Sequence, residues 1–150
     1  MIPQFNEHGL LPPGIHDCTI DEINGSLCFT DRRHFLFQRL MQFVQAEWTP
    51  LGLDCPLLID GSFTRNKPNP DDIDVVMDLT LAPQSPATAG AIAIWLRHAE
   101  IKEAYNLDVW PKHPAFPKDL GVFFQYLGDK AAAELRLPIK HPKGILRIQP

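Results

Sequence analysis

The sequence predicts an α+β fold, a small mixed β-sheet with helices packed mainly on one face. Three observations predict it. Apolar residues recur at helical spacing over 37–48 and again after Ser85-Pro86, and short apolar or alternating runs occur at 56–60, 72–79, 107–110 and 144–148. Fifteen prolines in 150 residues are about twice the usual roughly 5%, which keeps every helix and strand short. A composition 45% hydrophobic and 21% charged suits one globular domain spanning 1–150.

Residues 1–29 hold Pro3, Pro12, Pro13, Gly9, Gly14 and Gly25 with no sustained period, so an irregular proline-rich arm is expected there. Thr30 or Asp31 can cap a helix whose buried stripe is Phe37, Leu40, Met41, Val44 and Trp48, ended by Pro50 and Gly52. Pro56 to Asp60 is a short apolar strand, and Asp72 to Leu79 alternates as a second, with a polar segment between them. Ser85, followed by Pro86, opens a helix reaching about Ala104. Leu107 to Trp110 is a third strand that Pro111 should stop, and a last helix is expected from about Pro117 to Leu127, with Gly128 as its stop. The basic, proline-rich tail 135–150 closes with Gly144 to Ile148, read as an edge strand.

The net charge is −4 and the pI near 5.8, so no global basic field exists to hold bulk DNA or an anionic membrane. No stretch is long and apolar enough to span a bilayer and the start lacks a signal-peptide pattern, so a cytoplasmic protein without membrane contact is expected. Cys18, Cys28 and Cys55 are odd in number and widely spaced, and are read as reduced structural residues.

Asp72 and Asp74 stand two apart on a predicted strand. They therefore share a face about 7 Å apart along the chain, and can lean together over one or two divalent cations. Asp71 points the other way, and Asp78 is about 13 Å beyond Asp74. Ten residues upstream of Asp72, Gly61-Ser62 follows directly on a strand, where glycine lets backbone approach a phosphate and serine adds a hydroxyl donor. Asp60, Asp71, Asp72, Asp74 and Asp78 outnumber Arg65 and Lys67 in this stretch, an excess that a bound cation would relieve. The competing reading is a turn-rich hairpin whose aspartates only cap and solvate.

The unit Gly61-Ser62 to Asp72-Ile73-Asp74, with Asp108 in Leu107-Asp108-Val109-Trp110, resembles the nucleotidyltransferase superfamily. With Ile2-Pro3-Gln4-Phe5-Asn6-Glu7 through His16 at the start and Lys143-Gly144-Ile145 at the end, it looks like a small bacterial nucleotidyltransferase-like family over nearly the whole chain. The resemblance implies a polymerase-β-like palm in which Asp72 and Asp74 hold Mg²⁺ (or Mn²⁺) on a nucleoside triphosphate. It also implies that Gly61 and Ser62 hold phosphate, and that Asp108 is the third metal-binding and catalytic carboxylate, helping to activate an acceptor hydroxyl. The implied reaction moves a nucleoside monophosphate to a protein or RNA acceptor, in a context such as a toxin–antitoxin or phage-defence pair. The chain leaves no room for a separate acceptor-binding domain, so a partner protein is expected to present the acceptor. The alternative is a catalytically silent nucleotide-binding or partner-docking module on the same fold.

Arg65 and Lys67 are candidates to neutralise phosphate charge, or are simply solvated. His98 falls in the stripe Ala91, Ile94, Trp95, Ile101 and reads as a core or helix-edge histidine. Arg136, Lys140, His141, Lys143 and Arg147 form a basic cluster that either grips phosphate or an acidic partner, or is a solvated tail.

Overall fold

Five strands form one sheet in a computed structural model that describes residues 1–150. They are β1 (Gly14–Asp17), β2 (Leu57–Asp60), β3 (Ile73–Asp78), β4 (Leu107–Lys112) and β5 (Gly144–Ile148), in the spatial order β1-β5-β2-β3-β4. β1 with β5 and β3 with β4 are parallel, while β5 with β2 and β2 with β3 are antiparallel. The architecture is thus α+β with a mixed sheet.

Alternation along β3 decides what each face carries. Ile73, Val75 and Met77 point into the main core, where they meet Leu57, Ile59, Leu107, Val109, Leu146 and Ile148 from neighbouring strands. Four helices close this face: α1 (Ile20–Leu27), α2 (Asp31–Phe43), α3 (Pro86–Leu96) and α4 (His98–Tyr105). From α2 and the π-helical turn after it come Leu40, Val44 and Trp48, with Met41 packed alongside. Each such buried side chain contributes roughly 1.5–3 kcal/mol, and Leu40→Ala would cost about 2–5 kcal/mol. The opposite face is covered more thinly, with Leu58, Val76 and Ile145 under Leu120 and Phe124 of α5 (Leu120–Phe123) and the residue after it. A third small cluster joins Leu10 and Leu127 to Ala132 of α6 (Asp129–Leu135).

Several expectations are corrected. The arm 1–29 is not irregular throughout. Thr19 and Glu22 form a reciprocal capping box that starts α1, and β1 pairs with β5 from Gly14 to Asp17. β5 is therefore interior, not an edge. The helix after Ser85 divides at Arg97, whose φ of −95° and ψ of 23° leave the helical region and turn His98 to solvent. Pro111 does not stop β4, because β4 is an edge strand and a missing N–H on its open side costs no ladder bond. The helix expected over 117–127 shrinks to α5, and Gly128 begins α6 rather than ending α5. All three cysteines are free, Cys28 and Cys55 buried and Cys18 half-buried. No helix is long and apolar enough to cross a membrane.

Candidate functional site

The thinly covered face carries the acidic residues. Register sets Asp60 opposite Asp74 and Asp74 level with Asp108, a row of aspartates across β2, β3 and β4. Neighbouring backbones about 4.8 Å apart make this crowding unavoidable. Burial, then the charges of Asp60, Asp72 and Asp108, push the Asp74 carboxyl up to about 7, against a hydrogen bond from Trp110 that pulls it down. Asp60 is wholly buried and also raised, chiefly by burial, although Lys143 donates to its Oδ1 and works the other way.

Gly61 follows β2 with φ of +82°, and a Cβ there would overlap the Asp74 carboxylate. Only glycine suits this turn. The residues after it are held by α2. Arg33 is fully buried, and its guanidinium donates to the carbonyls of Leu27, Phe63, Arg65 (3.2 Å) and Lys67 (2.7 Å). Its charge lies between the rings of Phe29 and Phe63, 4.3 and 4.7 Å from their centroids. Burial lowers its pKa to about 10, still protonated at neutral pH. Thr30 Oγ1 donates to the Pro68 carbonyl at 2.7 Å, and Arg32 to those of Pro70 (3.0 Å) and Asp71. The 3₁₀ turn Gly61–Thr64 and the irregular approach to Asp72 are thus both tied back to the start of α2.

A cavity of about 460 Å³ opens beside this turn. One wall is Asp60, Gly61, Ser62, Arg65, Asp74 and Lys143, and the other is the connection from α5 to α6, with Phe123, Phe124, Tyr126 and Leu127. Asp72 and Asp108 lie outside it and are joined by one cation. Lys102 of α4 donates to Asp72 Oδ2 at 2.7 Å and to Asp108 Oδ2 at 2.6 Å. Desolvation alone would lower the lysine's pKa, but the hydrogen bonds to Asp108 and Asp72 outweigh it and hold the pKa above its usual value.

Asp72, Asp74 and Asp108 supply only hard oxygen donors with an excess of negative charge, which fits Mg²⁺ or Mn²⁺ in kind. As the side chains stand, no three potential ligands converge on one point, and Lys102 Nζ lies between two of them.

The fold brings Gly61, Ser62, Asp72, Asp74 and Asp108 together as one neighbourhood. Arg65 lines the cavity but is paired with Glu134 of α6 at 2.9 Å, and Lys67 is paired with the same carboxylate at 3.2 Å. Asp78 is remote, bound to Lys112 at 3.3 Å. The basic tail is neither one cluster nor simply solvated, since Lys143 is buried on Asp60, Arg147 pairs with Asp17 on β1 and Lys140 borders the cavity. Lys102, Arg33 and Glu134 were not legible as site residues, because Asp72, Phe63 and Arg65, which they respectively bind, lie 30, 30 and 69 positions away. Lys143 was legible only as a member of the basic tail, its partner Asp60 standing 83 positions away.

An α+β domain with a glycine-serine turn, a row of aspartates and an adjoining cavity is the class of protein that fold and site define. Over residues 3–149 the chain matches, and belongs to, the family of unknown function DUF6932. Nothing among the curated proteins and nothing among the solved structures matches it.

Proposed function

We propose that this chain is a nucleotidyltransferase that moves a nucleoside monophosphate from a nucleoside triphosphate to a hydroxyl of a protein or RNA acceptor. The observation that carries the reading is the register of β3 with β4, which stands Asp108 beside Asp74, with Asp72 just ahead of β3 and the Gly61-Ser62 turn against Asp74. In this reading, Ser62 and the backbone of the turn receive phosphate oxygens, and Arg65 adds positive charge from the cavity wall. Asp72, Asp74 and Asp108 would hold a divalent cation, which when bound supplies charge neutralisation and orientation for phosphoryl chemistry. The acceptor oxygen forms a bond to the α-phosphorus, the bond from that phosphorus to pyrophosphate breaks, and the acceptor's proton passes to Asp108. Lys102 must leave Asp72 and Asp108 before they can serve in this way.

That same lysine favours a second reading, a silent nucleotide-binding module in which Lys102 permanently neutralises the acid pair. Incubation with α-³²P-labelled nucleoside triphosphates and Mg²⁺ or Mn²⁺, with and without RNA or cell lysate, separates the two. Label on a macromolecule, lost in Asp72→Asn and Asp74→Asn, is expected for the enzyme. Binding without any transferred label would mark the module.

A further inference from the structure

We propose that the α5–α6 side of the cavity is a nucleobase site, in which the base lies against Phe123 and Tyr126 while the phosphates face Gly61, Ser62 and Arg65. The proposal rests on the nucleotide reading above and adds the residues that would hold the base. At about 460 Å³ the cavity is within the usual range for small-molecule sites. Phe123 and Tyr126 line it while staying 47% and 45% exposed, so their rings are open to a ligand rather than consumed by the core.

These rings are already positioned. Phe123 packs edge-on against Phe124, with centroids 5.2 Å apart, and Lys118 Nζ lies 3.4 Å from its centroid. The segment is pinned by backbone bonds from Leu127 N–H to the His141 carbonyl and from Lys143 N–H to the Gln125 carbonyl, both 2.9 Å. A prepositioned aromatic wall loses little freedom when a ring stacks on it. Charge selects the rest of the ligand. Of the cavity's three cations Arg65 is held by Glu134 and Lys143 by Asp60, which leaves the exposed Lys140 beside the aromatic wall for the anionic group of a planar ligand.

Isothermal titration of the full chain with ATP, GTP, CTP, UTP and inorganic tripolyphosphate, each with Mg²⁺, tests this, because tripolyphosphate carries the charge without a base. At least one nucleotide is expected to bind about tenfold or more tightly than tripolyphosphate, the size of one base–aromatic stack. Phe123→Ala and Tyr126→Ala should each remove most of that advantage and leave tripolyphosphate binding unchanged, while Tyr126→Phe retains it. Equal affinity for all five compounds, no binding of any, or aromatic variants without effect would overturn the proposal. Base-dependent binding with no label transfer would sink the transferase reading and leave this site standing. Transfer whose KM ignores both alanine variants would do the reverse.

Discussion

Gly61 and Asp74 are in such close contact that the carboxylate of Asp74 occupies the space a Cβ on Gly61 would need, and Gly61 holds φ at +82° to allow it. The turn that would meet phosphate and the aspartate at the centre of the acidic row thus depend on each other. Gly61→Ala should destabilise the protein by about 1–3 kcal/mol, part from the positive φ and part from displacement of Asp74. Chemical denaturation of Gly61→Ala, Asp74→Ala and the double variant checks this. The double variant should lose less than the sum of the singles, and strict additivity would disprove the contact.

The raised Asp74 carboxyl gives stability a definite pH dependence. Its pKa is about 7 in the fold against 3.8 for an unperturbed group, so the native state holds the proton more tightly than the unfolded chain. Its stabilising effect is complete below about pH 4 and is lost as pH rises through about 7. Asp74→Asn should remove this slope, and in metal-free buffer at pH 8 should be more stable than wild type by about 2–4 kcal/mol. Denaturation curves at pH 5 and pH 8 measure the difference. A variant less stable than wild type at both values would contradict the assignment.

Lys102 neutralises Asp72 and Asp108 from an exposed position, so Lys102→Met should lower the melting temperature in EDTA. Mg²⁺ should then raise it by more than it does in wild type, because the ion no longer competes with an ammonium group. Melts of both proteins with EDTA and with Mg²⁺ provide the check, and an identical Mg²⁺ response would show that the lysine and the ion do not share a place.

Arg33 binds four backbone carbonyls from inside the protein. Arg33→Met would leave buried acceptors unpaired and release the Gly61–Lys67 segment, at a cost of about 3 kcal/mol or more. Arg33→Lys should recover little, since a single ammonium cannot match the guanidinium's spread of donors. Urea denaturation of the two variants decides it.

The parts legible in the sequence are those where local pattern and tertiary role agree. The Phe37 to Trp48 stripe and the alternation through Ile73, Val75 and Met77 follow from side-chain period alone, whereas Asp72, expected on the same strand face as Asp74, lies just ahead of β3 and binds Lys102 outside the cavity that Asp74 lines. Elements with weak apolar period were not legible. α6 reads Asp-Lys-Ala-Ala-Ala-Glu-Leu and buries only Ala132 fully, so its helical propensity left no stripe. α1 carries a capping box at Thr19 and Glu22 but lies in an arm whose prolines and glycines leave no sustained period. Lys102 on Asp72 and Lys143 on Asp60 became neighbours only through sheet order, which periodicity does not encode.

The most direct test of the transferase reading is nucleotidyl transfer by Asp108→Ala beside wild type, with Mg²⁺–triphosphate binding measured on the same samples. Asp108 is level with Asp74 on the adjoining strand and is the carboxylate assigned to the acceptor hydroxyl. Asp108→Ala should transfer no label yet bind the triphosphate nearly as well as wild type, because Asp72 and Asp74 still hold the substrate's metal. Undiminished transfer by Asp108→Ala, or wild type that binds the triphosphate and never transfers it, would contradict the transferase reading.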